Sequence, residues 1–492
     1  MLHTVQLMAY ADRLGGDLAG FKKLLDSELS DLFGGVHILP FFDPIDGEDA
    51  GFDPSDHCGV DPKLGEWKDI KRIAESHPVM ADLIVNHISS DSAQFSDVRK
   101  HGENSAWWPL FLKKSDVFPE PVIDDEVARI FRPRPGRPFT TMQLDNGKRY
   151  EFWTTFSHQQ IDINVESDAG QRYLNSILDT FAAAGIREIR LDAAGYAIKR
   201  RGTRCFMLPE TFEFIADIAS LAASQGIESL VEIHSHYQTQ IEIANRVGRV
   251  YDFALPPLVL HTLYTADSLP IKNWLGVSPR NCVTVLDTHD GIGIMDVARE
   301  GNKPGLLSDD DVDALVERIH TETNGQSRAA SGHAASNLDI YQVNSTFYDA
   351  LGRSDSAYLI ARAIQFFSPG TPQVYYVGLL AGHNDMALVE KTNVGRDINR
   401  HRYTNKEIRD AINLPVVQSL FELIRLRNSS PAFSGDFSLP ECAENELRMR
   451  WNGAQDCIEL RVKLDSLTAD IIEHSDGQKI KYLLADELIK VL

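Results

Sequence analysis

Three carboxylates in this chain stand where apolar, strand-like segments end: Asp192 in GIREIRLDAAGY, Glu232 in GIESLVEIH and Asp290 in NCVTVLDTHD. Arg190 precedes Asp192 by two residues, so on a strand the two side chains share one face. A further segment, VMADLIVNH, ends in Asp82, Asn86 and His87, and His289 stands beside Asp290. An Asp–Arg pair alone can be a structural ion pair closing a strand. The whole set converging on one pocket is harder to explain that way, because like charges gathered in a buried site shift pKa values at the expense of stability and persist mainly where they act.

Residue type suggests how the work divides. A carboxylate beside a permanent cation stays ionised and can attack an electrophile, which makes Asp192, next to Arg190, the expected nucleophile. A carboxyl following the apolar run SLVEI is the one expected to have a raised pKa, so Glu232 is the expected acid/base. Asp290 is left to stabilise positive charge or to grip hydroxyls. Such a pair suits retaining glycosyl transfer through an oxocarbenium-like transition state, with the two carboxyl groups ~5–5.5 Å apart.

The spacing predicts the elements that must position these groups. Thr4–Tyr10, Gly35–Phe42 and Val79–His87 read as buried strands, with helices over Asp17–Phe33 and Leu64–Ser76 between them. The rhythm stops from Ile88 to about Gln160, a Pro-, Trp- and charge-rich stretch that reads as an inserted domain. It resumes with a helix from Gly170 to Ala184, carrying Tyr173, Leu174, Ile177, Leu178 and Phe181 at helical spacing. Strands follow at Glu188–Asp192, Gly226–His234, around Arg249–Leu255 and at Asn281–Asp290. A second excursion, Gly291–Asp355, carries one clear helix, with Ser308 as N-cap and Asp311 as its capping-box partner, before an eighth strand at Gln373–Val377. Continuous apolar strands alternating with helices signal a parallel sheet covered on both faces. Eight of them point to an α/β fold, a (β/α)8 TIM barrel whose carboxyl-end mouth collects the groups above. The expected division is residues 1–87, 166–290 and 356–431 for the barrel, 88–165 for an insertion after strand three, 291–355 for an insertion after strand seven, and 432–492 for a small β domain.

Composition narrows the class. The chain has 492 residues, 43% of them apolar, and a formal net charge of −22, which argues against nucleic acid and anionic membranes as partners. Cys58, Cys205, Cys282, Cys442 and Cys457 form no CxxC, as expected of buried, reduced thiols. The first residues, MLHTVQLMAYADRL, lack the features of a secretory leader. The expectation is a cytoplasmic protein with no membrane segment.

DLIVNH, GIREIRLDAAGY, the glutamate of VEIH and VLDTHDG, in this order, resemble the four signature segments of the α-amylase superfamily. The resemblance is closer to the sucrose phosphorylase subfamily and covers nearly all of the chain, through VQLMAYADRLGG, GVHILPFFDPIDGEDAGFDPSDH, RPRPGRPFT, VYDFALPP, AASNLDIYQVN and GRDINRH. It implies the same three roles for Asp192, Glu232 and Asp290. It also implies that Asp49, Phe52, His87, Arg190, His289 and Arg396 surround the glucosyl group, with Phe156 and Tyr196 also substrate-binding. Core packing is the competing account of Phe52. On the acceptor side Arg134 and Tyr341 match phosphate positions, Asp339 and Gln342 match residues that meet the leaving sugar, and Leu338 belongs to the same segment. Pro133 and Tyr341 follow the sucrose pattern rather than the basic residues expected in relatives acting on sucrose 6′-phosphate. Phe131 stands where tyrosine is usual, Arg137 where leucine occurs, and NVGRDINRHRY where NNGRDINRHYY is expected. A solvated basic loop is the competing account of Arg134 and Arg137.

The activity implied is phosphorolysis of sucrose, with sucrose, phosphate, glucose 1-phosphate and fructose as small-molecule partners. No metal or organic cofactor is expected beyond inorganic phosphate as co-substrate, and a homodimer is implied by resemblance alone. Three other readings stay open: the same mechanism with glycerol as acceptor, a retaining hydrolase or transglucosidase, and a non-catalytic sugar-binding barrel.

Overall fold

The apolar runs read from the sequence close on one another. In the computed structural model, which describes residues 4–47, 49–119, 124–132, 136–334, 342–475, 478–484 and 488–491, eight parallel strands form a closed barrel. They are β1 (Gln6–Ala9), β2 (Gly35–Ile38), β3 (Val79–Ile84), β4 (Glu188–Asp192), β5 (Glu228–Val231), β6 (Arg249–Asp252), β7 (Cys282–Thr284) and β8 (Thr371–Tyr375). Sequential strands are neighbours and β8 returns to β1, where Gln6 faces Gln373. β3 is buried at all six positions, as a strand with a side-chain layer on each face must be.

Helices cover the outside: α1 (Leu18–Asp26), α2 (Trp67–Ala74), α3 (Asp168–Ala184), α4 (Pro209–Ser224), α5 (Tyr237–Ala244), α6 (Leu255–Thr265), α7 (Asp355–Phe367) and α8 (Pro415–Ser429). In α3 the Ser167 hydroxyl accepts the Gly170 N–H, and Gly185, left-handed at φ 83°, ends the helix. Its buried stripe is the expected one, including Tyr173, Leu174, Ile177, Leu178 and Phe181, each such side chain contributing ~1.5–3 kcal/mol on burial. That stripe presses the helix onto the barrel and fixes the entry of β4.

Several strand ends fall short of their sequence reading, for one reason. Apolar character continues past the last ladder bond wherever the chain turns over the barrel mouth. β7 pairs only to Thr284, so Val285–Asp290 runs on as irregular backbone; β5 stops at Val231, one residue before Glu232. β3 ends at Ile84, and His87–Ser89 pairs instead with Gln160–Asp162 as the stem of the first insertion. β8 begins two residues earlier than expected, and α1 ends at Asp26 rather than at Phe33.

The first insertion holds short helices and the hairpin Phe139–Gln143 with Arg149–Trp153. Its aromatics Phe95, Phe111 and Phe152 join the main core, while Leu112, Phe118 and Trp153 cluster with Cys205. The described residues of the second hold three helices rather than one: Asp309–Glu322, Gln326–Ala334 and the short Phe347–Ala350. Ser308 caps the first of these and donates its hydroxyl to the Asp311 carboxylate at 2.6 Å. From Asp436 a six-stranded antiparallel sheet follows: β9 (Asp436–Ser438), β10 (Glu446–Asn452), β11 (Cys457–Lys463), β12 (Thr468–Ser475), β13 (Gln478–Leu484) and β14 (Leu488–Val491). All five cysteines are free, but only Cys205 and Cys282 are buried. Among the described residues no helix is long and apolar enough to cross a membrane.

Candidate active site

Arg190 is the centre of the mouth. It is buried on β4 opposite Asp82 of β3 in the strand register. Its Nη1 lies 2.6 Å from Asp82 Oδ1 and 2.8 Å from Asp192 Oδ1, and its Nη2 lies 3.4 Å from Glu232 Oε1. One guanidinium therefore joins three carboxylates carried by three adjacent strand ends. Asp82 is anchored from its far side by His37 Nε2 on β2, at 2.9 Å. Burial would raise the Asp82 carboxyl, but the His37 and Arg190 charges hold it down, to about 2.

Asp192 does not follow the expectation that Arg190 keeps its carboxyl in the ordinary ionised range. Burial pushes it up to about 8; Arg190 opposes that shift, and the Glu232 and Asp82 charges reinforce it. The physical reason is that Arg190 is one cation shared by three anions, so its pull on any one of them is divided. A carboxyl raised in this way must lose its proton before it can attack.

Asp290 has the opposite environment. Arg396 Nη1 lies 2.9 Å from Asp290 Oδ1 and Arg400 Nη2 lies 3.7 Å from it. Burial would raise this carboxyl too, yet Arg396 and Arg400 hold it well below the usual range. The segment that brings them is fastened to the irregular backbone after β7: Asn399 Nδ2 donates to Thr288 O at 2.8 Å and Arg400 Nε to His289 O at 2.9 Å. Burial lowers the His289 imidazole to about 3, so it is neutral.

The glucosyl-side expectations come together here. Phe52 stacks on His289 with centroids 4.8 Å apart and planes 10° apart, and the Arg190 guanidinium lies 5.5 Å from its ring. It is only 5% exposed, so the loop position does not make it an exposed platform; it is part of the wall. His87 Nε2 bonds Phe52 O at 2.9 Å, and Asp49 lies on the same turn, where its carbonyl accepts the Phe52 N–H at 3.0 Å. His87 packs on Phe156 at 5.0 Å, and Phe156 meets Tyr196 edge-on at 5.1 Å. Beyond Tyr196 lie Phe131 at 6.2 Å and Phe206 at 4.7 Å, with the Arg204 guanidinium over Phe131. Arg137 is exposed. Gln342 bonds the Gly291 N–H and reaches His234 Nε2 at 3.3 Å. Pro133, Arg134, Leu338, Asp339 and Tyr341 lie outside the described residues.

Four residues had no sequence signal of their own. Tyr10, at the end of β1, meets His289 edge-on at 6.2 Å, and its phenol is raised to about 12 by burial. Arg400 sits in GRDINRH without distinction from its neighbours. Buried Lys199 donates to Asn86 Oδ1 at 2.8 Å and to Tyr196 O at 2.5 Å, and pairs with Asp162 at 2.6 Å; it ties the turn carrying Tyr196 to the insertion stem. His234 stands 3.9 Å from Glu232 and 3.0 Å from Asp296. Burial opposes its charge, but Asp296, with Glu232 and Asp290, more than offsets burial and raises it. Their decisive partners, His289 for Tyr10 and Arg400, Asn86 and Asp162 for Lys199 and Asp296 for His234, are distant in sequence, which is why no local pattern announces them. Among the described residues no group of three or more His, Cys, Asp or Glu side chains is gathered to hold a metal ion.

The alpha-amylase catalytic-domain family model matches residues 6–249. A sucrose phosphorylase of Agrobacterium vitis is 55% identical over 92% of this chain and 93% of that protein. One of Bifidobacterium adolescentis is 50% identical over 92% of this chain and 90% of that protein. A glucosylglycerol phosphorylase of Marinobacter adhaerens is 42% identical over 95% and 96%. The crystal structure of sucrose 6F-phosphate phosphorylase from Thermoanaerobacter thermosaccharolyticum superimposes with a TM-score of 0.91 at 38% identity, covering 98% of this chain and 99% of that one.

Proposed function

This chain belongs to the sucrose phosphorylase family of the α-amylase superfamily, and we propose that it converts sucrose and phosphate reversibly to α-glucose 1-phosphate and fructose. The observation that carries the reading is the single Arg190 guanidinium in contact with both Asp192 and Glu232. That contact supports a nucleophile and an acid acting at one reacting centre. In the first step an Asp192 oxygen forms a bond to the anomeric carbon while the bond to the fructosyl oxygen breaks and that oxygen takes the Glu232 proton. In the second, a phosphate oxygen attacks the anomeric carbon, Asp192 leaves, and Glu232 receives a proton where phosphate carries one. Two inversions give net retention. Asp290, held ionised by Arg396 and Arg400, supports the positive charge that develops on the sugar ring.

The wall of Phe52, His289, His87 and Arg190 closes the glucosyl end and favours a single sugar unit. Arg134 and Tyr341 are the residues proposed to receive phosphate, with Asp339, Leu338 and Gln342 at the leaving sugar. No metal or organic cofactor enters this scheme. A cytoplasmic homodimer is part of the proposal and rests on the resemblance. A second reading, glycerol as the acceptor, is favoured by one feature: Phe131 brings no hydroxyl to the aromatic end of the pocket, where it stacks on Tyr196.

The test is glucose 1-phosphate formation from sucrose and, in parallel, from glucosylglycerol, each with and without phosphate. Rapid phosphate-dependent product from sucrose supports the main reading. Turnover of glucosylglycerol with little from sucrose moves the acceptor to glycerol, and phosphate-independent release of glucose replaces both with hydrolysis.

A further inference from the structure

The catalytic groups close their strands; a second concavity lies where strands begin. Glu228, Arg249, Cys282 and Thr371 are the first residues of β5, β6, β7 and β8, and all four line a groove of about 1190 Å³ at the amino-terminal mouth of the barrel. Small-molecule clefts commonly span ~300–1,000 Å³, so the space is ample for a metabolite. Its lining includes small residues of α4, Ala216, Ala219 and Ala223, and Phe437 and Trp451 of the terminal sheet.

Three arginines line this groove: Arg246, Arg249 and Arg280. Arg249 forms its floor. It is 7% exposed, pairs with Glu188, and keeps a buried Nε that has no hydrogen-bond partner. Arg246 and Arg280 are exposed at the rim. Arg280 donates to Leu275 O and Ser278 Oγ and lies 5.4 Å from the Phe437 ring; Arg246 lies 5.4 Å from the Phe212 ring. Neither has a carboxylate within ion-pair distance among the described residues. Their placement is built rather than incidental: Asn281 Nδ2 donates to Ala244 O, Val247 O and Gly248 O, which ties the turn carrying Arg246 to the strand start carrying Arg280. Two carboxylates also line the groove, Glu228 and Asp436. Glu228 lies 3.7 Å from Arg249, which leaves two rim cations against Asp436. Counting Glu188, the three arginines meet three carboxylates, but the two at the rim stand without an ion pair among the described residues in a chain of net charge −22.

We propose that this groove is a second binding site, separate from the active site, for a phosphate monoester of a ring-bearing small molecule. Arg246 and Arg280 receive the phosphate through charge-assisted, fork-shaped hydrogen bonds. The Arg249 Nε is the buried donor at the base, and the ring packs against the α4 alanines and Phe437.

The test measures binding calorimetrically and by melting temperature with adenosine 5′-monophosphate and glucose 6-phosphate, using adenosine and glucose as controls. It compares the natural chain with R246Q/R280Q, in the presence of saturating sucrose to occupy the active site. The expected result is saturable binding of at least one ester, none of its unphosphorylated control, and at least a tenfold loss of affinity in the double variant with sucrose turnover unchanged. The proposal is overturned if neither ester saturates below ~10 mM, a threshold of a few kcal/mol of affinity, or if the double variant binds as the natural chain does. A double variant that alters only the oligomeric state overturns it in favour of a contact between copies.

Discussion

The glucosyl end and the acceptor end of the pocket are built by different means. At the glucosyl end Arg190, Asp192, Glu232 and Asp290 stand on strand ends or within a few residues of one; Arg190 and Asp82 form a buried ion pair backed by His37, and Asp290 pairs separately with Arg396 and Arg400. At the acceptor end the groups stand on loops and meet through their rings, edge-on for Phe156 and Tyr196, stacked for Phe131 and Tyr196, with Phe206 tilted against both Phe131 and Tyr196. That loop also stores backbone strain, with Ala193, Cys205 and Met207 at φ 55°, 51° and 54°, in a region disfavoured for residues other than glycine. On the proposed function, the contrast puts the chemistry on the framework and acceptor choice on parts that can change without moving it.

The comparison breaks most directly at Asp192. Asp192→Asn is expected to lower glucose 1-phosphate formation by at least ~10⁴-fold, the scale of losing a covalent nucleophile. Its effect on stability has the opposite sign at high pH. The folded carboxyl is raised to about 8, so the stability linked to its proton is fully present below the ordinary carboxylate pKa and is lost as pH rises through about 8. The variant should therefore melt a few degrees above the natural chain at pH 9, and no higher than it at pH 5. A variant that melted lower at pH 9 would show that the site does not strain the fold.

Asp82 tests whether the framework acts as a unit. Asp82→Asn leaves Arg190 with Asp192 and Glu232 alone and leaves His37 without its carboxylate. Breaking a fully buried pair costs ~3–5 kcal/mol, so melting temperature should fall. Turnover should drop by ~10²-fold through misplacement of the two carboxyls, with the pH profile displaced. An unchanged pH profile beside a lowered melting point would confine Asp82 to structure.

These same residues mark how far the sequence could be read. The barrel and the strand-end carboxylates were legible because burial on two faces leaves continuous apolar runs, and charges at their ends stand out. The protonation pattern was not. Arg190 is visible two residues from Asp192, but its division among Asp82, Asp192 and Glu232 depends on pairing across 108 residues to Asp82 and on burial. Arg400 and Lys199 were missed for the same reason: each is an ordinary basic residue in its own segment and gains meaning only from His289 or from Asp162. The strand ends were overread because apolar backbone continues into the mouth after β7 without a partner.

A milder perturbation leaves the structure intact and titrates the site. Because Asp192 attacks as a carboxylate and burial raises its carboxyl to about 8, kcat/KM for sucrose should rise as pH approaches that value and level off above it. Asp290, held low by its arginines after burial is overcome, adds no limb between pH 5 and 8. A profile flat from pH 6 to 9.5, read from initial rates at sub-saturating sucrose, would show that the Asp192 carboxyl does not limit attack in this range.

The smallest effect belongs to the acceptor end, where the contrast is sharpened rather than broken. Phe131 is half-buried, fixed by its backbone N–H to Arg204 O at 2.8 Å and by ring contact with Phe206 at 4.5 Å. Phe131→Tyr adds one hydroxyl to a ring whose position is already determined, so the glucosyl end should not respond. One hydrogen bond to an acceptor hydroxyl is worth ~0.5–1.5 kcal/mol. The ratio of kcat/KM for sucrose over glucosylglycerol should therefore change by roughly two- to tenfold, with the melting temperature and the rate of phosphate-dependent glucosyl transfer from a good leaving group unchanged. If the ratio stayed fixed while the melting temperature moved, Phe131 would belong to the packing of its loop, and acceptor choice would have to be sought on the segment that carries Gln342.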